Sequence, residues 1–122
     1  MAGRKGKPVL ALALAAGLTL TTLGVTSADT VRVRGIHNGT SFVWKPKTRS
    51  IVQGTTVRWK AVEGNHNVRS RGKNWSYFRN LPQGTSVTRT FNRTGTFRYY
   101  CTIHGSVSNG VCSGMCGRIV VS

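Results

Sequence analysis

Residues 98–117, "RYYCTIHGSVSNGVCSGMCG", hold all three cysteines of the chain together with His104 and Met115. A second histidine, His66, lies in "GNHNV". An odd cysteine count leaves either an intermolecular bond or one thiol kept for chemistry. Three pairings are open. Cys112 and Cys116 can bond to each other across a tight turn containing Gly114, and that choice would leave Cys101 as the single thiol. A thiolate, two imidazoles and a thioether are the donors of a His2Cys trigonal site with a weak axial methionine. That set selects copper and suits one-electron transfer, because the soft sulfur holds Cu(I) while imidazole accommodates Cu(II). The candidate ligands are His66, Cys101, His104 and Met115. His37 sits in the turn "HNGT" and is expected at the surface.

These residues need elements to carry them. Period-two alternation marks half-buried strands. Val31 and Val33 alternate with Arg32 and Arg34. Val57, Trp59 and Ala61 alternate with Arg58 and Lys60. Phe97, Tyr99 and Cys101 share one face against Arg98 and Tyr100, and "GRIVVS" reads as a last strand. "SFVW", "SIVQ", "HNVRS" and "SVTRTF" are shorter candidates, and turn signals fall at 37–40, 53–55, 63–65, 81–85 and 93–95. Seven or eight short strands so spaced predict an all-β sandwich or barrel. Segment 70–83 is the least regular and is expected to form a loop or a turn of helix. Within it Trp75, Tyr77 and Phe78 stand among Arg71, Lys73 and Arg79. That mixture imitates a single-strand nucleic-acid surface, but is read as loop packing with surface charge.

The first residues speak to compartment. Arg4, Lys5 and Lys7 precede an apolar run from Val9 to Val25, and small residues end it at Thr26-Ser27-Ala28. This is the pattern of a cleaved secretory signal peptide over 1–28. It leaves a single domain at 29–122, secreted or extracytoplasmic, with no span once the leader is gone. An exposed free thiol there would be oxidised, so a metal on Cys101 would protect it. The chain has 18 Lys+Arg against 2 Asp+Glu, a formal net charge of +16. Such a field attracts anions. Export points away from nucleic acid and toward acidic proteins or anionic cell-surface polymers. Two acidic residues leave little for acid–base catalysis, and a filled ligand set leaves no open position for substrate, so an enzyme is not expected.

Three segments, in order, resemble the plastocyanin-like cupredoxins, the blue (type 1) copper proteins. "SIVQGTTVRWKAVEGNHNV" resembles the region of their first histidine ligand. "FNRTGTFRYYCTIHG" resembles their Cys-x-x-His segment. "SGMCGRIVV" resembles their closing Gly-Met-x-Gly segment. The resemblance covers nearly all of 29–122. It implies a cupredoxin-type Greek-key β-sandwich and one copper per chain on His66, Cys101, His104 and Met115. It matches Asn67 to the residue whose backbone steadies the thiolate. It also implies a monomeric one-electron carrier that meets a redox partner protein, acidic to suit this charge, with His104 as the electron's route. Copper scavenging or delivery with the same ligands is the alternative. The chain departs from the family in its loop, where ten residues separate His104 from Met115. A Cys112–Cys116 bridge is expected to cinch this enlarged loop so that Met115 still reaches the ion.

Overall fold

The structure, a computed structural model, describes residues 29–122. The leader expected at 1–28 lies outside them. The described residues form β1 (Thr30–His37), β2 (Phe42–Lys45), β3 (Thr48–Ile51), β4 (Thr55–Ala61), β5 (His66–Arg71), β6 (Phe78–Leu81), β7 (Ser86–Phe91), β8 (Gly95–Ser108) and β9 (Val111–Val121). Nine strands thus stand where seven or eight were expected. The ninth is β6, inside the segment read as a loop or helical turn. Its residues, Phe-Arg-Asn-Leu, carry little alternation, and pairing with β5 decides their conformation.

Alternation in the sequence becomes the two sides of a sandwich. In β4, Val57, Trp59 and Ala61 are inaccessible to solvent while Arg58 and Lys60 are exposed. The first sheet has the order β2-β1-β4-β7 and the second β3-β9-β8-β5-β6. The chain changes sheet repeatedly, and two pairings are parallel, β1 with β4 and β9 with β3. No helix among the described residues is long and apolar enough to cross a membrane.

Aromatic rings fill the space between the sheets. Trp59 stands edge-on to Tyr99, with ring centres 5.3 Å apart, and Trp44 meets Tyr99 at 5.6 Å. Each such ring removes roughly 150–250 Å² from water, a gross gain of about 4–6 kcal/mol before chain entropy is subtracted. The Tyr99 hydroxyl and the indole nitrogens of Trp44 and Trp59 are buried without hydrogen-bond partners, and burial pushes the Tyr99 phenol pKa up. Segment 70–83 contributes to this core as well. Trp75 and Tyr77 are buried and stacked, while Arg79 lies over the Tyr77 ring. Trp75 and Tyr77 are therefore packing residues, whereas Phe78 is 41% exposed, under Arg69.

Candidate metal centre

Two strands of the second sheet deliver three donors to one end of the sandwich. His66 begins β5. Cys101 continues the inward face of β8 set by Phe97 and Tyr99, and is inaccessible to solvent. After Cys101 the register between β8 and β9 slips. Tyr100 pairs with Cys116, yet the next matched pair is Gly105 with Gly114. Residues 101–104 are thus set against Met115 alone. This bulge swings His104 back beside Cys101 and holds Met115 across from both, as bulges next to functional sites do.

The donor atoms converge. Cys101 Sγ lies 3.9 Å from His66 Nδ1 and 3.8 Å from His104 Nδ1, and the two Nδ1 atoms are 3.2 Å apart. The ligand atoms of these three residues all fall within 4.8 Å of one another. The protonation of His66 follows from its other nitrogen. Nε2 is 2.7 Å from the carbonyl oxygen of Glu63, which can only accept, so Nε2 carries the proton and Nδ1 presents a bare lone pair. That carbonyl is itself positioned. The Val62 and Glu63 N–H groups both donate to Gly35 O, at 3.0 and 3.2 Å, and the turn that follows is tied to Gln83 by Gly64 N–H and by Asn65 Oδ1. Burial lowers the pKa of both histidines; for His66 the Glu63 bond opposes this and the neighbouring His104 adds to it. Both rings are therefore inclined to the neutral, ligating form.

Met115 is fully buried, and its methyl carbon and the His66 ring both close on the space beside Gly35. The residue that permits this is Gly35 on β1. A Cβ there would lie 2.8 Å from His66 Cδ2 and 3.2 Å from Met115 Cε. The enlarged loop is not a loose excursion. β8 and β9 continue past the bulge as a hairpin closed by Asn109-Gly110, both at positive φ, the usual preference of a two-residue turn. Cys112 and Cys116 are bonded, with Cα atoms 6.2 Å apart. Four residues of extended strand would span about 13 Å, so β9 folds sharply between them. Gly114, at φ +84°, makes the bend, and a Cβ there would collide with His104 O. The expected bridge is present, at the base of the hairpin and next to Met115, and Cys101 is the free thiol.

Asn67 acts through its side chain. Its Oδ1 accepts from Thr102 N–H at 2.9 Å and its Nδ2 donates to Thr102 Oγ1 at 2.7 Å, tying the residue after His66 to the residue after Cys101. Phe42 escaped sequence reasoning. Its ring lies 4.3 Å from His104 and 5.2 Å from His66, and it wedges them from the β2 side. An isolated phenylalanine in "SFVW" carries no signal for this; only the packing of β2 over the site reveals it. His37 is exposed, as expected, and stands edge-on to Phe42.

A thiol, a lone-pair imidazole nitrogen fixed by its tautomer, a second imidazole and a buried thioether, with no carboxylate among them, match the soft donor set that favours copper. No family model and no curated protein matches the chain. Solved structures do. A purple cupredoxin from Nitrosopumilus maritimus is 22% identical, with a TM-score of 0.57 over 75% of this chain and 98% of that one. Pseudoazurin from Methylobacterium extorquens is 19% identical, with a TM-score of 0.60 over 77% and 76%. A copper-containing nitrite reductase from Thermus scotoductus matches at 23% identity and a TM-score of 0.61, but this chain spans only 22% of it. Likeness at these identities establishes architecture: the chain has the cupredoxin fold, and the end of its sandwich that gathers two imidazoles and two kinds of sulfur is a candidate copper site.

Proposed function

We propose that this protein is an exported type 1 copper protein that carries single electrons, and that His66, Cys101, His104 and Met115 would hold the copper. The observation that carries the reading is the convergence of both Nδ1 atoms on the buried Cys101 sulfur. Copper would supply the chemistry by cycling between Cu(II) and Cu(I). The chain supplies the rest. Glu63 and Gly35 fix one imidazole, the Asn67–Thr102 clasp fixes the thiolate strand, and the disulfide-pinned hairpin seats Met115. A cage held at three points favours one geometry in both redox states.

His104 is the ligand nearest solvent, being only half-buried. Ile103 beside it is 56% exposed, so an apolar contact surface surrounds the electron's way out. The net positive charge suits an acidic partner, and docking should weaken as salt is raised. Delivery or scavenging of copper by the same ligands would require ready metal release, which the buried Met115 and the pinned hairpin disfavour.

The test is a visible spectrum of the protein titrated with Cu(II), alongside Cys101→Ser. An intense band at roughly 600 nm, from thiolate-to-copper charge transfer, is expected in the wild type and absent in the variant. Reversible bleaching by a mild reductant without loss of the metal identifies the carrier. Loss of the metal on reduction identifies the copper-handling alternative. No band at all overturns the copper reading.

A further inference from the structure

The outer face of the five-stranded sheet poses an electrostatic problem that the metal site does not touch. Arg98 on β8 is paired directly with Arg118 on β9 and, on its other side, with Arg71 on β5. Residues so opposed have Cβ atoms about 4.5–5.5 Å apart, and like charges there repel. Three guanidinium groups therefore stand in one row across three strands. No carboxylate relieves them. The chain has only two acidic residues; Glu63 accepts from His37 N–H, and Asp29 lines a separate hollow with Val31 and Ile51.

The hairpin tip covers the Arg71 end of the row. Because β9 folds back at Gly114, the hairpin tip reaches the sheet, and Arg71 Nη1 donates to Gly110 O at 3.4 Å. Arg118 Nε donates to Thr48 Oγ1 at 3.0 Å. Together with Lys47 and the Cys112–Cys116 bridge, the three arginines line a cavity of about 350 Å³. Four cations without a carboxylate, two of them held by hydrogen bonds, surround a concave space that suits an anion.

We propose that this cavity binds an oxyanion group of the phosphate type, supplied either as the free ion or as the phosphodiester of an anionic surface polymer. Guanidinium forks match such oxygens in pairs, and the ligand needs to offer only acceptors. The first sheet gives an internal control. Arg32, Arg34, Arg58 and Lys60 line a cavity of similar size, about 340 Å³. Its side chains have no counterpart, among the described residues, to the hydrogen bonds that hold Arg71 and Arg118. Charge is equal in the two places, and only the five-stranded sheet fixes its cations by hydrogen bonds. The inference does not depend on the metal.

The experiment is calorimetric titration of the purified protein at constant ionic strength, with inorganic phosphate and then with poly(glycerol phosphate). Saturable binding is expected, at least about tenfold weaker in Arg98→Gln and in Arg118→Gln, the loss typical of a charged hydrogen-bond partner. Arg58→Gln on the other sheet should leave it nearly unchanged. Without anion, Arg98→Gln should unfold at a higher temperature than the wild type, because repulsion in the row is relieved; phosphate should raise the wild type's unfolding temperature and not the variant's. Binding of both titrants assigns the free group as sufficient, and binding of the polymer alone assigns the polymer as the source. Equal weakening by Arg58→Gln and Arg98→Gln, or no binding beyond that of chloride, overturns the proposal.

Discussion

His66 and His104 are the two candidate imidazole ligands, placed in two different settings. His66 is 2% exposed and held on every side: Glu63 O on Nε2, Trp44 and Phe42 against the ring, and the bare backbone of Gly35 beneath it. His104 rides a bulge, is half-buried, and leans on Phe42. One imidazole belongs to the core of the domain and the other to its surface. The proposed carrier needs both, a fixed ligand that would define the cage and a reachable one through which the electron would leave. The difference teaches that ligation and exposure are assigned by strand position. His66 opens a strand that runs through the interior, whereas His104 stands where the β8–β9 register breaks.

The comparison can be broken most directly by truncation. His66→Ala should cost the metal-free protein about 2–4 kcal/mol in denaturant unfolding, the range for emptying a buried ring-sized site. His104→Ala should cost less than about 1 kcal/mol, since surface changes are usually mild. Both should lose the copper band. Equal destabilisation would show that His104 is as structural as His66.

A smaller effect is expected from Gly35→Ala. The new methyl carbon would stand 2.8 Å from His66 Cδ2 and 3.2 Å from Met115 Cε. Overpacking of this sort costs about 1–3 kcal/mol, and here it also displaces the fixed imidazole and the thioether while leaving His104 in place. The spectrum of the copper-loaded variant should shift rather than vanish. An unchanged spectrum would show that the cradle around His66 is not rigid.

The smallest effect is that of pH. Both histidines have pKa values below the ordinary 6.5 in the folded chain, chiefly through burial. The unfolded chain therefore takes up protons first. Stability of the metal-free protein should be fully present above pH 6.5 and should fall as pH drops from there toward the lowered folded values. His66→Ala should flatten part of that slope. A metal-free protein that gains stability on acidification through this window would contradict the burial assigned to the two rings.

Much of the site was legible in the chain because its donors are rare and clustered. Cys-x-x-His at the end of an alternating strand needs no tertiary information to be noticed, and β8 and β9 were visible from Phe97-Tyr99-Cys101 and Ile119-Val121. β6 was not, because "FRNL" has neither alternation nor strong strand propensity and forms only by pairing with β5. Phe42 and Gly35 were silent for a related reason. Each contributes by proximity to a strand distant in sequence, and no local pattern records that. Asn67 was singled out only through the family resemblance, and its side-chain link to Thr102 spans 35 residues and required the fold.

By itself the sequence determined the donor types, the inward and outward faces of the strands, the excess of positive charge and the alternatives for cysteine pairing, since all of these depend on residue identity and short-range periodicity. The tertiary structure decided which cysteines pair, that the long segment after His104 is a hairpin folded back at Gly114, which histidine is buried, and that Arg71, Arg98 and Arg118 form a single row. Those are matters of register and crossing between strands. Register is set by which apolar faces can pack together over the whole sandwich, a condition that no single stretch of the chain contains.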